Sequence, residues 1–267
     1  MKYVTILILA GCVHAANASE IGSSLGCSKD WKKVNFSEQP LSDKEKLNRW
    51  KSITEKTCLE SPDYFYRLGL LYSALKQYAN GENAYLTALQ SASPLEKQVR
   101  LSLANIYVQR GVKENSENDI KKAEAEYGKL MELFPNFHGG YAQMGGLKLM
   151  LGDNSGVVKY SEASVEIQPS FYAYRNLVIA YQGVGKYEES INAFSRAYEL
   201  DSGDALMSDR DSMLSVSVAY AEIGKYTLSK NALATLLQKR PDLEKDPNFI
   251  SAISYIKALM SRSLNQE

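Results

Sequence analysis

Residues 62–94, PDYFYRLGLLYSALKQYANGENAYLTALQSASP, read as two helices joined by a tight turn. In the first half Phe65-x-x-Leu68-Gly69-x-x-Tyr72 puts large side chains and one glycine three and four residues apart. In the second half Gly81-x-x-x-Tyr85-x-x-Ala88 does the same, and Pro94 closes the stretch. That spacing gathers each set on one helical face. A single hairpin of this kind cannot bury its apolar stripe, so it has to stack against neighbours of the same design.

The neighbours are present. Tyr174-x-x-Leu177-x-x-x-Tyr181 restates the first half, with Gly185 and Tyr187 at the turn, and Ser190-x-x-x-Phe194-x-x-Ala197 restates the second. Met213-x-x-Val216-x-x-x-Tyr220 follows, Gly224-Lys225-Tyr226 answers Gly185-Lys186-Tyr187, and Pro241 closes that unit. Leu103-Ala104-x-x-Tyr107 and Ala123-x-x-x-Tyr127 with Pro135 make a further pair. Between them Gly111 to Asp119 is polar and about seven residues longer than the period allows, which reads as a looped insertion. Tyr141-x-x-Met144-Gly145, with Gly152 and Pro169, makes another unit, although Lys148 and Ser161 stand where aromatic residues are expected.

In these motifs the chain resembles the tetratricopeptide repeat family, in five units over residues 62–242. The resemblance implies an all-α fold, a tetratricopeptide-type helical-repeat superhelix of about five helix hairpins plus capping helices. Tyr72, Tyr107, Tyr181 and Tyr220 are expected to fill the gaps between helices. Residues 19–61 form an N-terminal segment with a capping helix from Lys44 to Lys56, carrying Leu47, Trp50 and Ile53 on one side. Residues 243–267 form a C-terminal capping helix and tail. That helix opens at Asp246-Pro247, runs through Met260 and presents Phe249, Ile250, Ile253 and Ile256 as its stripe, with Ser261 to Glu267 fraying. No linker divides the repeats, which therefore read as one domain.

The chain begins with Met1-Lys2, an apolar run from Tyr3 to Val13, and Ala16-Asn17-Ala18. A basic start, a short apolar core and an A-x-A site make residues 1–18 a signal peptide, too short to span a bilayer. Two processing routes stand: cleavage after Ala18, giving a soluble periplasmic or secreted protein, or lipidation at Cys12. The second rests on Leu9-Ala10-Gly11-Cys12, which resembles the lipobox of bacterial lipoproteins. Export places Cys27 and Cys58 in an oxidising compartment, where they either pair or remain two separate buried thiols. Pairing would contribute about 3–4 kcal/mol by restricting the unfolded chain.

Composition excludes several functions. The 267 residues carry 31 Lys+Arg against 31 Asp+Glu, so the basic surface of a nucleic-acid binder is missing. Beyond residue 14, His138, Cys27 and Cys58 are the sole imidazole and thiols, too few for a zinc site or a His-based triad. His138 is expected to be exposed or capping a helix. Glu124, Glu126, Glu188 and Glu189 read as solvated helix-face charges. No G-x-G-x-x-G, P-loop or G-x-S-x-G is present. The chain is expected to be no enzyme, with no cofactor and no metal.

Within the family, the first helix of each repeat lines the concave face at set positions. Carried onto this sequence, that implies partner-binding residues Tyr66, Arg67, Asn105, Gln143, Tyr172, Arg175, Asn176 and Gln182, with Asp211 and Ser215 in the last unit. Such a groove mixes aromatic anchors with amide and guanidinium donors suited to an extended peptide or a carboxylate. The Lys/Asn clamp of chaperone-tail binders is absent, since Tyr66, Leu70 and Ser102 occupy its positions. Arg175 and Asn176 are the expected place for an acidic contact. The resemblance implies a non-enzymatic adaptor of the bacterial cell envelope, gripping protein segments during assembly of a pilus, secretion or outer-membrane complex. The alternative is a protein binding a glycan or small ligand in the same groove. Contact with a membrane is expected only through a lipid anchor at Cys12.

Overall fold

The computed structural model describes Cys27, Trp31 and residues 41–53, 56–201 and 205–264. Residues 1–18, read as a signal peptide, and Cys12 among them lie outside the described residues. Those described form helices, with no strand among them. The sequence reads as one uninterrupted array, whereas the contacts group into two compact units that divide between Pro135 and Asn136.

The first unit opens with α1 (Asp43–Lys51). Ser42 and Glu45 close a capping box: the Ser42 hydroxyl accepts from the Glu45 N–H, and the Glu45 carboxylate accepts from the Ser42 N–H at 2.8 Å. The expected run to Lys56 is not made. Ser52 turns its N–H back to the Asn48 carbonyl at 3.1 Å and its hydroxyl to Arg49 at 2.8 Å, which ends the helix. A separate turn, α2 (Lys56–Leu59), follows. Hairpin α3 (Pro62–Ala74) and α4 (Tyr78–Ala88) comes next, α3 being capped by Ser61 with Pro62 at its first position.

The second hairpin, α5 (Glu96–Glu114) and α6 (Glu117–Leu133), corrects the looped insertion. Its extra residues are helical except at the turn, and α5 reaches 19 residues against 13 in α3. Asn115 closes α5 at φ 54°, and the Ser116 hydroxyl accepts the Asp119 N–H to start α6. The extension is stapled by Arg110, which donates to Glu82 of α4 at 2.6 Å and, in a bidentate pair, to Asp119 of α6 at 2.7 Å. Polar residues that bury no stripe can still be helical when ion pairs hold them.

The second unit holds three hairpins. These are α7 (His138–Met150) with α8 (Asn154–Ile167), α9 (Phe171–Gly183) with α10 (Tyr187–Leu200), and α12 (Arg210–Glu222) with α13 (Tyr226–Lys239). A short α11 (Ala205–Ser208) precedes the last pair. The three turns use Gly152, Gly185 and Gly224 at φ between +74° and +77°, where a Cβ would be strained. After the 3₁₀ turn Pro241–Lys245, α14 (Pro247–Leu264) packs on α12 and α13. It runs past Met260, where fraying was expected, because the Ser261 and Ser263 hydroxyls donate to the Lys257 and Met260 carbonyls. Its buried stripe is Phe249 and Ile256 with Ile253 at its edge, whereas Ile250 is 50% exposed and falls on the other side.

Two apolar clusters carry the packing. In the first unit Cys27, Trp31, Leu47, Trp50, Cys58, Tyr64 and Leu71 enclose the N-terminal end. In the second, Leu177, Met213, Val216, Leu233, Leu243, Phe249 and Ile256 belong to one core. The tyrosines fill gaps of two kinds. Tyr85 and Tyr127 fill their own hairpins, while Tyr107 and Tyr181 reach back to the preceding hairpin and donate to Glu82 at 2.9 Å and Glu162 at 2.6 Å. Burial first, and then the carboxylate beside each, push both of these phenols far above the ordinary tyrosine range.

Candidate partner-binding surface

The residues implied for partner contact fall in both units, and most of them already have internal partners. On α3, Tyr66 is half-buried, its ring 6.1 Å from that of Tyr85, and its phenol faces Ser102 of α5. Burial raises the pKa of that phenol. Arg67 is only 7% exposed: its Nε donates to Asp63 Oδ1 at 2.7 Å, and its guanidinium lies 4.8 Å from the ring of Trp31. Asp63, one turn earlier, is fully enclosed, and its Oδ2 has no hydrogen-bond partner. Its carboxyl is pushed above the usual range because desolvation outweighs the attraction of Arg67. Asn105 on α5 is buried and accepts the Tyr127 hydroxyl proton at 2.6 Å, which ties α5 to α6.

In the second unit, Arg175 on α9 is 9% exposed and donates to Asp209 Oδ1 at 2.6 Å. Asp209 also caps α12 by accepting the Ser212 N–H at 2.9 Å, so the guanidinium expected to meet an acidic ligand secures the next repeat. Asn176 is 3% exposed and belongs to the helix interface. Gln143 on α7 and Gln182 on α9 are half-buried. Tyr172, at the first turn of α9, is the most open of the set, 37% exposed with its ring 5.3 Å from Phe171. In the last unit Ser215 is buried and Asp211 accepts from Arg210 at 2.8 Å.

Asp63, Asp209 and Trp31 are the participants that the positional map did not include. Asp63 was readable as the i−4 partner of Arg67. Asp209 was readable as an N-cap, though its pairing with Arg175 across 34 residues was not. Cys27 and Cys58 are joined by a disulfide with Cα atoms 4.9 Å apart. His138 is the first residue of α7 and half-buried, and its pKa is lowered by burial. Among the described residues no cluster of His, Cys, Asp and Glu could hold a metal, and no helix is long and apolar enough to cross a membrane.

The helix hairpins and their lining positions define a repeat protein of the tetratricopeptide type. The tetratricopeptide repeat family model matches residues 62–93 and 172–204, two of the five hairpins. Those two hairpins are tetratricopeptide repeats, and the fold is that of tetratricopeptide repeat proteins. Solved structures share the fold at low identity. MamA aligns at 17% identity with a TM-score of 0.54, over 70% of this chain and 96% of MamA. YrrB, described as a TPR protein with an unusual peptide-binding site, aligns at 18% identity and TM-score 0.54, over 73% of this chain and 93% of YrrB. A chain of the APC/C hetero-tetramer Cut9–Hcn1 aligns at 14% identity and TM-score 0.60, over 80% of this chain but 39% of its own length. No curated protein matches the chain by sequence.

Proposed function

We propose that the protein is an exported, non-enzymatic adaptor of the bacterial cell envelope that holds an extended segment of a protein partner against the second unit. The fold is that of a protein-interaction scaffold in general, and the signal-like residues 1–18 support export. The observation that carries the choice of surface is Tyr172. It is the most exposed residue among the implied contact positions, whereas Arg67, Asn105, Arg175 and Asn176 are buried. A rigid amphipathic ring with half-buried amides on the packed helices α7 and α9 suits a peptide, whose backbone supplies donors and acceptors for Gln143 and Gln182.

The test is cross-linking in intact cells followed by mass spectrometry, comparing the native protein with Tyr172→Ala. A partner set lost in the variant supports the reading. A partner set that survives Tyr172→Ala removes the surface from the second unit. Absence of any protein partner, with retention on glycan fragments, replaces the adaptor by the glycan-binding alternative. The mass of the mature chain, beginning at Ser19 or at a lipid-bearing Cys12, decides its processing route and so its place in the envelope.

A further inference from the structure

We propose that the partner segment alternates basic with aliphatic residues and docks where α8 and α10 end beside the start of α9. This names the chemistry of the partner, and it rests on the reading above that places a protein partner on the second unit at Tyr172.

The connections 168–170 and 184–186 are short, so α8, α9 and α10 run antiparallel in turn, and α9 packs on both of its neighbours. The last turns of α8 and α10 therefore lie at the same end as the first turn of α9. That end exposes Ile167 and Leu200, the last residues of α8 and α10, together with Tyr172 and Tyr198. Each is between 37% and 50% open. A single exposed apolar side chain is ordinary, but four at one end of adjoining hairpins make a patch with a use.

The charges among these side chains are acidic. Glu166 precedes Ile167, Glu199 lies between Tyr198 and Leu200, and Asp201 follows. Both glutamates are exposed. Arg196 meets Glu199 at 2.9 Å, yet both side chains are more than half exposed, so water screens that pair and a partner's cation can take its place. Two helices also end here, and a helix C-terminus carries partial negative charge that a cation offsets. Neither α8 nor α10 has a basic residue in its last turn, whereas α13, the second helix of the next hairpin, has Lys239. The start of α9 between them is served by Ser170, whose hydroxyl accepts the Ala173 N–H. An acidic segment would be repelled at this end, and a purely basic one would leave the four apolar side chains in water. A segment carrying both kinds of residue buries the patch and sets its cations on the carboxylates.

The test uses the full chain and short fluorescein-labelled peptides of alternating leucine–lysine, leucine–glutamate and serine–lysine, read by anisotropy. The leucine–lysine peptide should bind several-fold more tightly than either of the others, and more weakly as salt is added. Its affinity should fall several-fold in the double variant Ile167→Ser with Leu200→Ser. It should hold in Leu133→Ser, which removes a comparably open leucine at the end of α6 in the first unit. Equal affinity for the leucine–glutamate peptide overturns the proposal. So does a loss in Tyr172→Ala with none in the double variant, an outcome that leaves the second unit as the partner's place and moves the contact off the helix ends. Failure of the leucine–lysine peptide to bind overturns it as well, and a dimer in sedimentation that the double variant disperses would then assign the patch to a second copy. The adaptor reading fails separately, when the partners cross-linked in cells survive Tyr172→Ala.

Discussion

Hairpins α3–α4 and α7–α8 both place a glycine at the middle of the first helix, and for opposite reasons. At Gly69 a Cβ would sit 2.4–2.9 Å from three ring atoms of Tyr85, so the glycine is the recess that receives a large side chain. At Gly145 a Cβ would meet only the Ser161 hydroxyl closely, at 2.5 Å, with the next atoms at 3.6 and 3.7 Å. There both positions are small and the gap is taken up by close helix approach. One repeat geometry is thus reached by a large residue in a recess in one hairpin and by two small residues in another. The repeat constrains the combined volume of the pair, not the identity of either member.

The largest expected effect comes from removing the filler. Tyr85 is almost wholly buried and its hydroxyl meets Ser73 at 3.3 Å, so Tyr85→Ala leaves a cavity in the first unit costing about 3–5 kcal/mol. Both tryptophans lie in that unit, so the urea midpoint followed by tryptophan fluorescence should fall markedly. An unchanged midpoint would mean that the ring is not what fixes the hairpin.

Filling the recess is next. Gly69→Ala drives a methyl into a ring that has no room to retreat, and overpacking of this kind costs about 1–3 kcal/mol. Gly145→Ala asks only that a serine hydroxyl rotate. That cost is offset by the better helix propensity of alanine, about 1 kcal/mol, so the net change should be close to zero. Equal losses in the two variants, measured by urea unfolding, would erase the distinction between the hairpins.

Ser161→Ala should move stability the other way. The Ser161 hydroxyl is fully buried with no hydrogen-bond partner, so its removal relieves a desolvated group at the loss of almost no volume. A gain of about 1 kcal/mol in unfolding free energy is expected, read as a higher urea midpoint by circular dichroism. A loss would show that the hydroxyl has a partner after all.

The Gly, Tyr, Ala and Pro spacing made the hairpins legible, including α7–α8, where Lys148 and Ser161 depart from the pattern. What escaped was whatever depends on pairing across the fold. Residues 111–119 looked like a loop because they bury no stripe, and their helicity comes from Arg110 bridging to Glu82 and Asp119. The residues implied for contact do lie on the first helices of their hairpins. Whether a side chain there is open depends on a carboxylate or an indole brought in from elsewhere. Asp209 closes Arg175 and Trp31 closes Arg67. Tyr172 remains partly exposed.

The smallest effect expected concerns the charged residues that begin the same two hairpins, Asp63 in α3 and His138 in α7. Burial favours the neutral form of each, so they shift in opposite directions: the Asp63 carboxyl upward, the His138 imidazole downward. For His138 the folded protein binds its proton less readily than the unfolded chain. Its effect is absent above the unfolded value of about 6.5, and stability is lost as the pH falls from there through the lowered folded value. For Asp63 the folded protein binds the proton more readily. Acidification through its raised folded value, toward the unfolded value of about 3.9, therefore adds stability. Proton NMR should find the His138 imidazole, the sole histidine beyond residue 14, titrating below 6.5. His138→Asn should flatten the loss of stability as the pH falls from about 6.5 through the lowered folded midpoint. An imidazole titrating at or above 6.5 would place His138 in water and remove the contrast between the two helix starts.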